Sequence, residues 1–142
     1  MSARVRVKFC GITRAEDAAE SVRLGVDAVG LVFVPGSRRC VDIQQARDIV
    51  AAVPAFVSTV GLFMDADTAH VEAVLAAVPL DLLQFHGRER ADFCAAFRRP
   101  YVKALAMGDG VDVAMMASAY AGARGMLLDA HRSGEQGGSG LD

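Results

Sequence analysis

The sequence predicts an α/β fold around a parallel sheet, and three observations predict it. Short apolar runs recur along the chain, most of them rich in β-branched or aromatic residues: Val5–Phe9, Ala28–Phe33, Val57–Phe63, Leu80–Phe85, Tyr101–Leu105 and Met126–Leu128. Their near-continuous apolar character suits strands buried on both faces. The stretches between them carry helix signals. The two kinds of segment alternate strictly, six strands with five helices at roughly 20–30 residues per unit, as βαβ connections require.

In chain order, Val5–Phe9 is the first expected strand. Thr13 and Glu16 then stand at capping-box spacing, where the hydroxyl accepts from a free backbone N–H and the carboxylate reaches back. Ala15, Ala18, Ala19 and Val22 follow at helical intervals, and Gly25 marks a stop. After Ala28–Phe33, Asp42 and Gln45 open a second helix; Ile43, Ala46, Ile49, Val50 and Val53 form its inward stripe and Pro54 ends it. Val57–Phe63 is followed by a third helix, capped by Asp67, striped with Val71, Val74, Leu75 and Val78, and closed by Pro79. Leu80–Phe85 leads to a fourth helix over Arg88 to Arg99, which carries Phe93 and Phe97 and meets Pro100. After Tyr101–Leu105, Val113, Met116, Ala117 and Tyr120 mark a fifth helix, and Met126–Leu128 is the sixth strand. Residues 134–142 hold four glycines and read as a loop or frayed tail.

Composition narrows the function classes. At 142 residues the chain is read as one domain, 1–142, long enough to bury a core without staples. Hydrophobic residues at 53% against charged residues at 23% argue against disorder. A formal charge of −2 leaves no basic excess for nucleic acid. No apolar run has the ~18 residues of a membrane helix, and no signal-peptide core follows the N-terminus. Three widely spaced cysteines, Cys10, Cys40 and Cys94, speak for thiols in a reducing cytoplasm rather than a disulfide framework. The three histidines and three cysteines show no zinc spacing, so no metal site is expected.

A doubly wound sheet and a (β/α)₈ barrel both accommodate the pattern. The first turn, Cys10-Gly11-Ile12-Thr13, has neither a G-x-G-x-x-G fingerprint nor a P-loop, and the short regular units favour the barrel. Eight such units need about 200 residues, so this chain is expected to cover about six.

In either fold chemistry gathers at the carboxyl ends of the strands. The polar residues there are Lys8 and Cys10, Ser37, Arg38 and Arg39, Asp65, Gln84 and His86, Lys103, and Asp129 and His131. Cys10 suits a general base or nucleophile, or a small core residue. Asp129, at the end of an apolar strand, suits a general acid with a raised pKa or an organiser of the next loop. Arg39 can fork onto a substrate carboxylate or lie solvated. His86 can bind substrate or hold a loop. Cys40 and Cys94 read as structural, and His70 as surface.

Taken together and in order, these motifs resemble a known family. Val7-Lys8-Phe9-Cys10-Gly11-Ile12-Thr13 resembles the opening of phosphoribosylanthranilate isomerase. Asp27-Ala28-Val29-Gly30-Leu31-Val32-Phe33 and Gly61-Leu62-Phe63 are similar to its second and third strands. Ser37-Arg38-Arg39-Cys40-Val41 resembles its Ser-Pro-Arg-x-Val turn, with Arg38 in place of proline. Leu83-Gln84-Phe85-His86-Gly87 resembles its Gln-Leu-His-Gly turn, with Phe85 in place of leucine. Leu127-Leu128-Asp129-Ala130, with Gly137-Gly138-Ser139-Gly140 beyond, is similar to its sixth strand and glycine loop.

The resemblance implies a TIM (β/α)₈ barrel of which this chain covers strands 1–6. It also implies an Amadori rearrangement without a cofactor, in tryptophan biosynthesis. An acid opens the furanose ring of N-(5-phosphoribosyl)anthranilate and a base takes the C2 proton of the resulting Schiff base, roles it assigns to Asp129 and Cys10. Arg39 would hold the anthranilate carboxylate, and Lys8, Ser37, Gln84 and His86 would bind substrate. The family's fold continues into two further βα units whose loops hold the phosphate. Impaired activity and self-association through exposed edge strands are therefore expected. The rival readings are a non-catalytic barrel fragment and another sugar-phosphate isomerase or epimerase.

Overall fold

The computed structural model describes residues 3–132; the glycine-rich stretch 134–142 lies outside the described residues. Six strands run in the order of the chain: β1 (Lys8–Cys10), β2 (Ala28–Val32), β3 (Ser58–Phe63), β4 (Leu82–Phe85), β5 (Tyr101–Ala106) and β6 (Gly125–Asp129). Every neighbouring pair is parallel, and the sheet order is β1-β2-β3-β4-β5-β6. Between them lie α1 (Ala15–Arg23), α2 (Ile43–Ala51), α3 (Thr68–Ala77), α4 (Ala91–Ala96) and α5 (Val113–Ala119). Six parallel strands with helices between them make the larger part of a barrel wall.

The register sorts side chains onto two faces, because successive residues of a strand point opposite ways. Outward from Leu31, Phe33, Phe63, Leu83, Phe85 and Tyr101 lies the main core, where Ala18, Ala46, Ile49, Val71, Val74 and Cys94 of the helices meet the sheet. Phe33 stacks on Phe63 at 5.3 Å, and Phe85 packs between Phe93, Phe97 and Tyr101. Burial pushes the Cys94 thiol up to about 12, so it is an inert core residue. On the inward face Cys10 is level with Gly30, Leu62 with Gln84, and Ala106 with Asp129.

Several expectations shift. The first strand begins at Lys8 rather than Val5: Val5 and Val7 are exposed, and the chain before β1 is held by Asp27, whose Oδ2 accepts from the Val7 N–H at 2.8 Å. Buried-on-both-faces describes β2 to β5 but not β1 or β6. The Thr13–Glu16 capping box does not form, because α1 starts one residue late; its N-cap is Arg14, with no side-chain cap bond. The Asp42–Gln45 box does form, and Asp67 and Asp112 cap α3 and α5. The fourth helix is cut from Arg88–Arg99 to Ala91–Ala96, since Glu89 turns inward and Arg98 adopts φ 52°. His70 is half-buried, its Nε2 3.1 Å from the Phe33 carbonyl.

Candidate active site

All seven residues expected to form a site, Lys8, Cys10, Ser37, Arg39, Gln84, His86 and Asp129, line one cavity of about 570 Å³. It opens on the inward face, where residues of β1 and β6 share it. Neighbouring strands lie about 4.8 Å apart, so a flat six-strand sheet would hold those two edges well over 20 Å apart. The sheet curls to bring them to one space.

On β1, Lys8 and Cys10 are two residues apart and both face inward. Gly30 makes room for them, since a Cβ there would lie 2.9 Å from Cys10 Sγ and 3.2 Å from Lys8 Nζ. The strand then turns at Gly11, φ 85°, in the left-handed region that glycine adopts without strain. Its missing side chain matters too: the Arg39 guanidinium lies across it, and a Cβ would stand 2.5 Å from Arg39 Cδ and Nη1. Arg39 Nη1 donates to the Cys10 carbonyl at 3.0 Å, and the Arg39 N–H donates to Ser37 Oγ at 3.2 Å. The turn from Ser37 to Arg39 thus hangs a cation beside the Cys10 end of the cavity.

At the end of β4, Gln84 and, just past the strand, His86 repeat the two-residue spacing. Gln84 Nε2 donates to His86 Nδ1 at 3.0 Å, which places the ring proton on Nε2, and that N–H faces Asp129 Oδ2 at 3.0 Å. Burial holds the His86 imidazole below its ordinary pKa, only partly opposed by the Asp129 charge. Asp129 also accepts from the His131 N–H at 3.2 Å. The expected rise in its pKa is reversed. Burial pushes the carboxyl up, but the His131 side chain and backbone N–H, the His131 charge and then His86 outweigh it, so the carboxylate is held below the usual range. Near neutral pH this carboxylate is ionised.

Of the remaining members of the polar ring, Arg38 also lines the cavity, whereas Asp65, Lys103 and His131 fall outside it. Lys103 has the wrong parity, since Ala104 and Ala106 of β5 stand level with Leu127 and Asp129 of β6. It is buried on the outer side, where Nζ donates to the Gly87 carbonyl at 2.7 Å and the Ala104 carbonyl at 2.9 Å and stands 3.7 Å from Glu89. Asp65 accepts from the Arg88 N–H at 2.6 Å, and its own N–H donates to Glu89 Oε1 at 2.7 Å. These bonds tie the loops after β3 and β4 together.

Residues 7–142 match the family model described as N-(5'-phosphoribosyl)anthranilate (PRA) isomerase. The chain belongs to this isomerase family. It is 55% identical over 137 residues to the N-(5'-phosphoribosyl)anthranilate isomerase of Halorhodospira halophila, covering 96% of this chain and 66% of that protein. The crystal structure of phosphoribosyl anthranilate isomerase from Thermotoga maritima superposes with TM-score 0.81 at 38% identity, over 96% of this chain and 66% of that one. A phosphoribosyl anthranilate isomerase solved with reduced 1-(o-carboxyphenylamino)-1-deoxyribulose 5-phosphate superposes with TM-score 0.75 at 38% identity, over 89% of this chain and 65% of that one. The chain therefore spans about two thirds of the length of the curated phosphoribosylanthranilate isomerases it matches.

Within this family member, sequence reasoning passed over Gly30 and Glu89. Gly30 left a signal, a glycine interrupting a strand, which marks close approach of a neighbour. Glu89 sits in the charge-rich run Arg88-Glu89-Arg90 and carried none, yet it is buried, accepting from the backbone N–H groups of Asp65 and Gly87.

Proposed function

We propose that this cavity converts N-(5-phosphoribosyl)anthranilate, an aminoaldose, to 1-(2-carboxyphenylamino)-1-deoxyribulose 5-phosphate, an aminoketose, as a step of tryptophan biosynthesis. The observation that carries the reading is the placing of one thiol and one carboxyl, Cys10 on β1 and Asp129 on β6, on the wall of a single cavity. The chemistry is two proton transfers on one sugar. Asp129, carrying a proton, gives it to the ring oxygen; the C1–O bond breaks and the anthranilate nitrogen's lone pair makes the Schiff base. Cys10 as thiolate takes the C2 proton, and the electrons move into an enolamine that becomes the ketone. No atom enters or leaves.

Because Asp129 rests ionised, it must gain a proton before it can give one. His86 and His131, each with a ring nitrogen 3.0 Å from a carboxylate oxygen, are its neighbours for that exchange. Arg39 pairs with the anthranilate carboxylate as a planar fork. Lys8, Ser37, Gln84 and His86 complete the substrate contacts. The product analogue bound by the relative supports a sugar phosphate as ligand. The setting we infer is the reducing cytoplasm, in keeping with the free thiols of Cys10, Cys40 and Cys94; among the described residues no helix is long and apolar enough to cross a membrane. We further infer that copies of the chain associate through β1 and β6.

Turnover of the phosphoribosyl substrate, followed through its anthranilate fluorescence, tests the reading. The expected result is weak turnover by this chain and, in a chain completed with two further βα units, a fall of about 10²–10⁴-fold in Cys10→Ala and in Asp129→Asn. Binding of the reduced product analogue, read as protection of Cys10 from alkylation, is expected in parallel. Near-normal turnover by either variant removes its role; no turnover and no protection overturn the reading.

A further inference from the structure

We infer that His86, Asp129 and His131 form a binding site for a divalent transition ion of the zinc type, at the edge of the cavity that His86 and Asp129 line. The residues are scattered along the chain, and only the curl of the sheet unites them. His86 Nε2 lies 3.0 Å from Asp129 Oδ2, His131 Nδ1 lies 3.0 Å from Asp129 Oδ1, and one ligand atom of each residue falls within 4.8 Å of the others. Ligand atoms bound to zinc at 2.0–2.2 Å in a tetrahedron stand about 3.3–3.6 Å apart. Each nitrogen stands within a few tenths of an ångström of that from one oxygen of the carboxylate, His86 from Oδ2 and His131 from Oδ1. The imidazoles stack at 4.9 Å and 22°, presenting both nitrogens to the same carboxylate.

The contact at His131 is incompletely made. His131 is only 5% exposed, and its Nδ1 stands 3.0 Å from Asp129 Oδ1 outside good hydrogen-bond geometry. A nitrogen buried without a hydrogen bond is costly. An ion seated off the nitrogen–oxygen line satisfies it, because coordination follows the nitrogen lone pair. Gln84 is fitted to support such an ion. A neutral imidazole binding metal through Nε2 carries its proton on Nδ1 and needs an acceptor there. Turning the Gln84 amide brings Oε1 to that nitrogen and breaks no bond that Oε1 now makes, because it makes none.

Two imidazole nitrogens and one carboxylate oxygen suit zinc, cobalt or nickel over calcium or magnesium. Occupied, the site takes Asp129 out of proton transfer, so the ion acts as an inhibitor. The inhibition rests on the isomerase reading; the binding does not.

Titration of the 142-residue chain with Co²⁺, followed by visible absorption and reversed by Zn²⁺, tests the site without substrate. One saturable ion per chain is expected, with a tetrahedral or five-coordinate spectrum and no thiolate charge-transfer band. Affinity is expected to fall at least tenfold in His131→Asn and in His86→Asn, and by a smaller factor in Gln84→Leu. Thermal melts of the apo variants show whether each is folded; if one histidine variant does not fold, the other decides. Absence of saturation by 100-fold excess ion overturns the proposal. So does binding unchanged in His131→Asn, or a thiolate band that Cys10→Ser abolishes.

Discussion

Gly30 stands level with Cys10 across the β1–β2 ladder, and the space where its side chain would be is taken by Cys10 Sγ and Lys8 Nζ. The same residue's carbonyl accepts from the N–H groups of Gly11 and Ile12 at 2.9 and 3.0 Å, so Gly30 also shapes the turn that seats Arg39. A methyl group at this point meets the Cys10 Cα at 3.2 Å as well as the thiol. Gly30→Ala is expected to rotate Cys10 off its place, and Gly30→Val to push Lys8 as well. Overpacking of this kind costs about 1–3 kcal/mol. Misplacing a reacting group by about 1 Å costs on the order of 10²-fold in rate. Turnover should therefore fall by more than the shift in melting temperature accounts for. Unchanged turnover in Gly30→Val would show that Cys10 has room it does not use.

The Glu89–Lys103 pair supports the loop that carries His86. Both side chains are almost wholly buried, Lys103 donates to the Gly87 carbonyl, and Tyr120 Oη donates to the Glu89 carbonyl at 2.6 Å. Burial pushes Glu89 up, countered by the Asp65 N–H and by Lys103, and pushes Lys103 down. Removing one partner of a buried pair costs about 3–5 kcal/mol. Lys103→Met is expected to destabilise by that order. A carboxyl whose folded pKa lies above its unfolded value loses stability as pH rises from the ordinary glutamate range, and loss of Lys103 raises the folded value further. The deficit of Lys103→Met should thus widen with rising pH and narrow in acid, read from urea midpoints; a deficit independent of pH would dissociate Glu89 from Lys103. Lys103→Met with Glu89→Gln should recover part of the loss.

Two periodicities made much of this readable. Strand runs of uninterrupted apolar residues announced β2 to β5, because both faces of those strands are buried. The pairs Lys8/Cys10, Gln84/His86 and Leu127/Asp129 lie two residues apart, which in a strand puts both members on one face. Lys103 shows the limit: it sits at a strand's functional end, but one residue out of step, and that parity is set by register with β6, which no local pattern specifies. Val5 and Val7 mislead for the opposite reason. They have strand chemistry, but the ladder opens only after the Asp27 carboxylate has taken the Val7 N–H. The His86–Asp129–His131 cluster brings residues 86 and 129 together across β5, so spacing along the chain could not announce it.

Asp27 gives the pH dependence at the other end of the strands. The Val7 N–H, and then the Arg4 guanidinium, hold its carboxyl below the usual aspartate range, with Arg6 3.3 Å away. A carboxyl with a depressed folded pKa stabilises above its unfolded value, and that contribution is lost as pH falls through the folded value. Asp27→Asn should be less stable than the parent near neutral pH, and the two curves of urea midpoint against pH should converge below the ordinary aspartate pKa. A gap that persists into acid would mean that Asp27 acts through its shape rather than its charge. Cavity residues such as Cys10 should react with alkylating agents at unchanged rates, since this clamp lies at the amino ends of β1 and β2.

The outer edges of β1 and β6 carry the last expectation. No described strand pairs with either edge, and Phe9 at 42% and Leu128 at 57% exposure stand on the outward face beside them. An open edge offers a row of unpaired N–H and carbonyl groups, and neighbouring apolar side chains turn that row into a template for another chain. A second copy of this chain would supply the complementary pair of edges in parallel or antiparallel register. Light scattering on the purified chain at micromolar concentration is expected to show dimers or larger species. Phe9→Lys with Leu128→Lys should shift the population toward monomer, because a charge on an edge opposes pairing. Hydrogen exchange should show Lys8–Cys10 and Gly125–Asp129 protected in the associated state and open in the double variant. A monomeric parent chain with both strands strongly protected would mean that the edges are covered from within the same chain, and would remove the association.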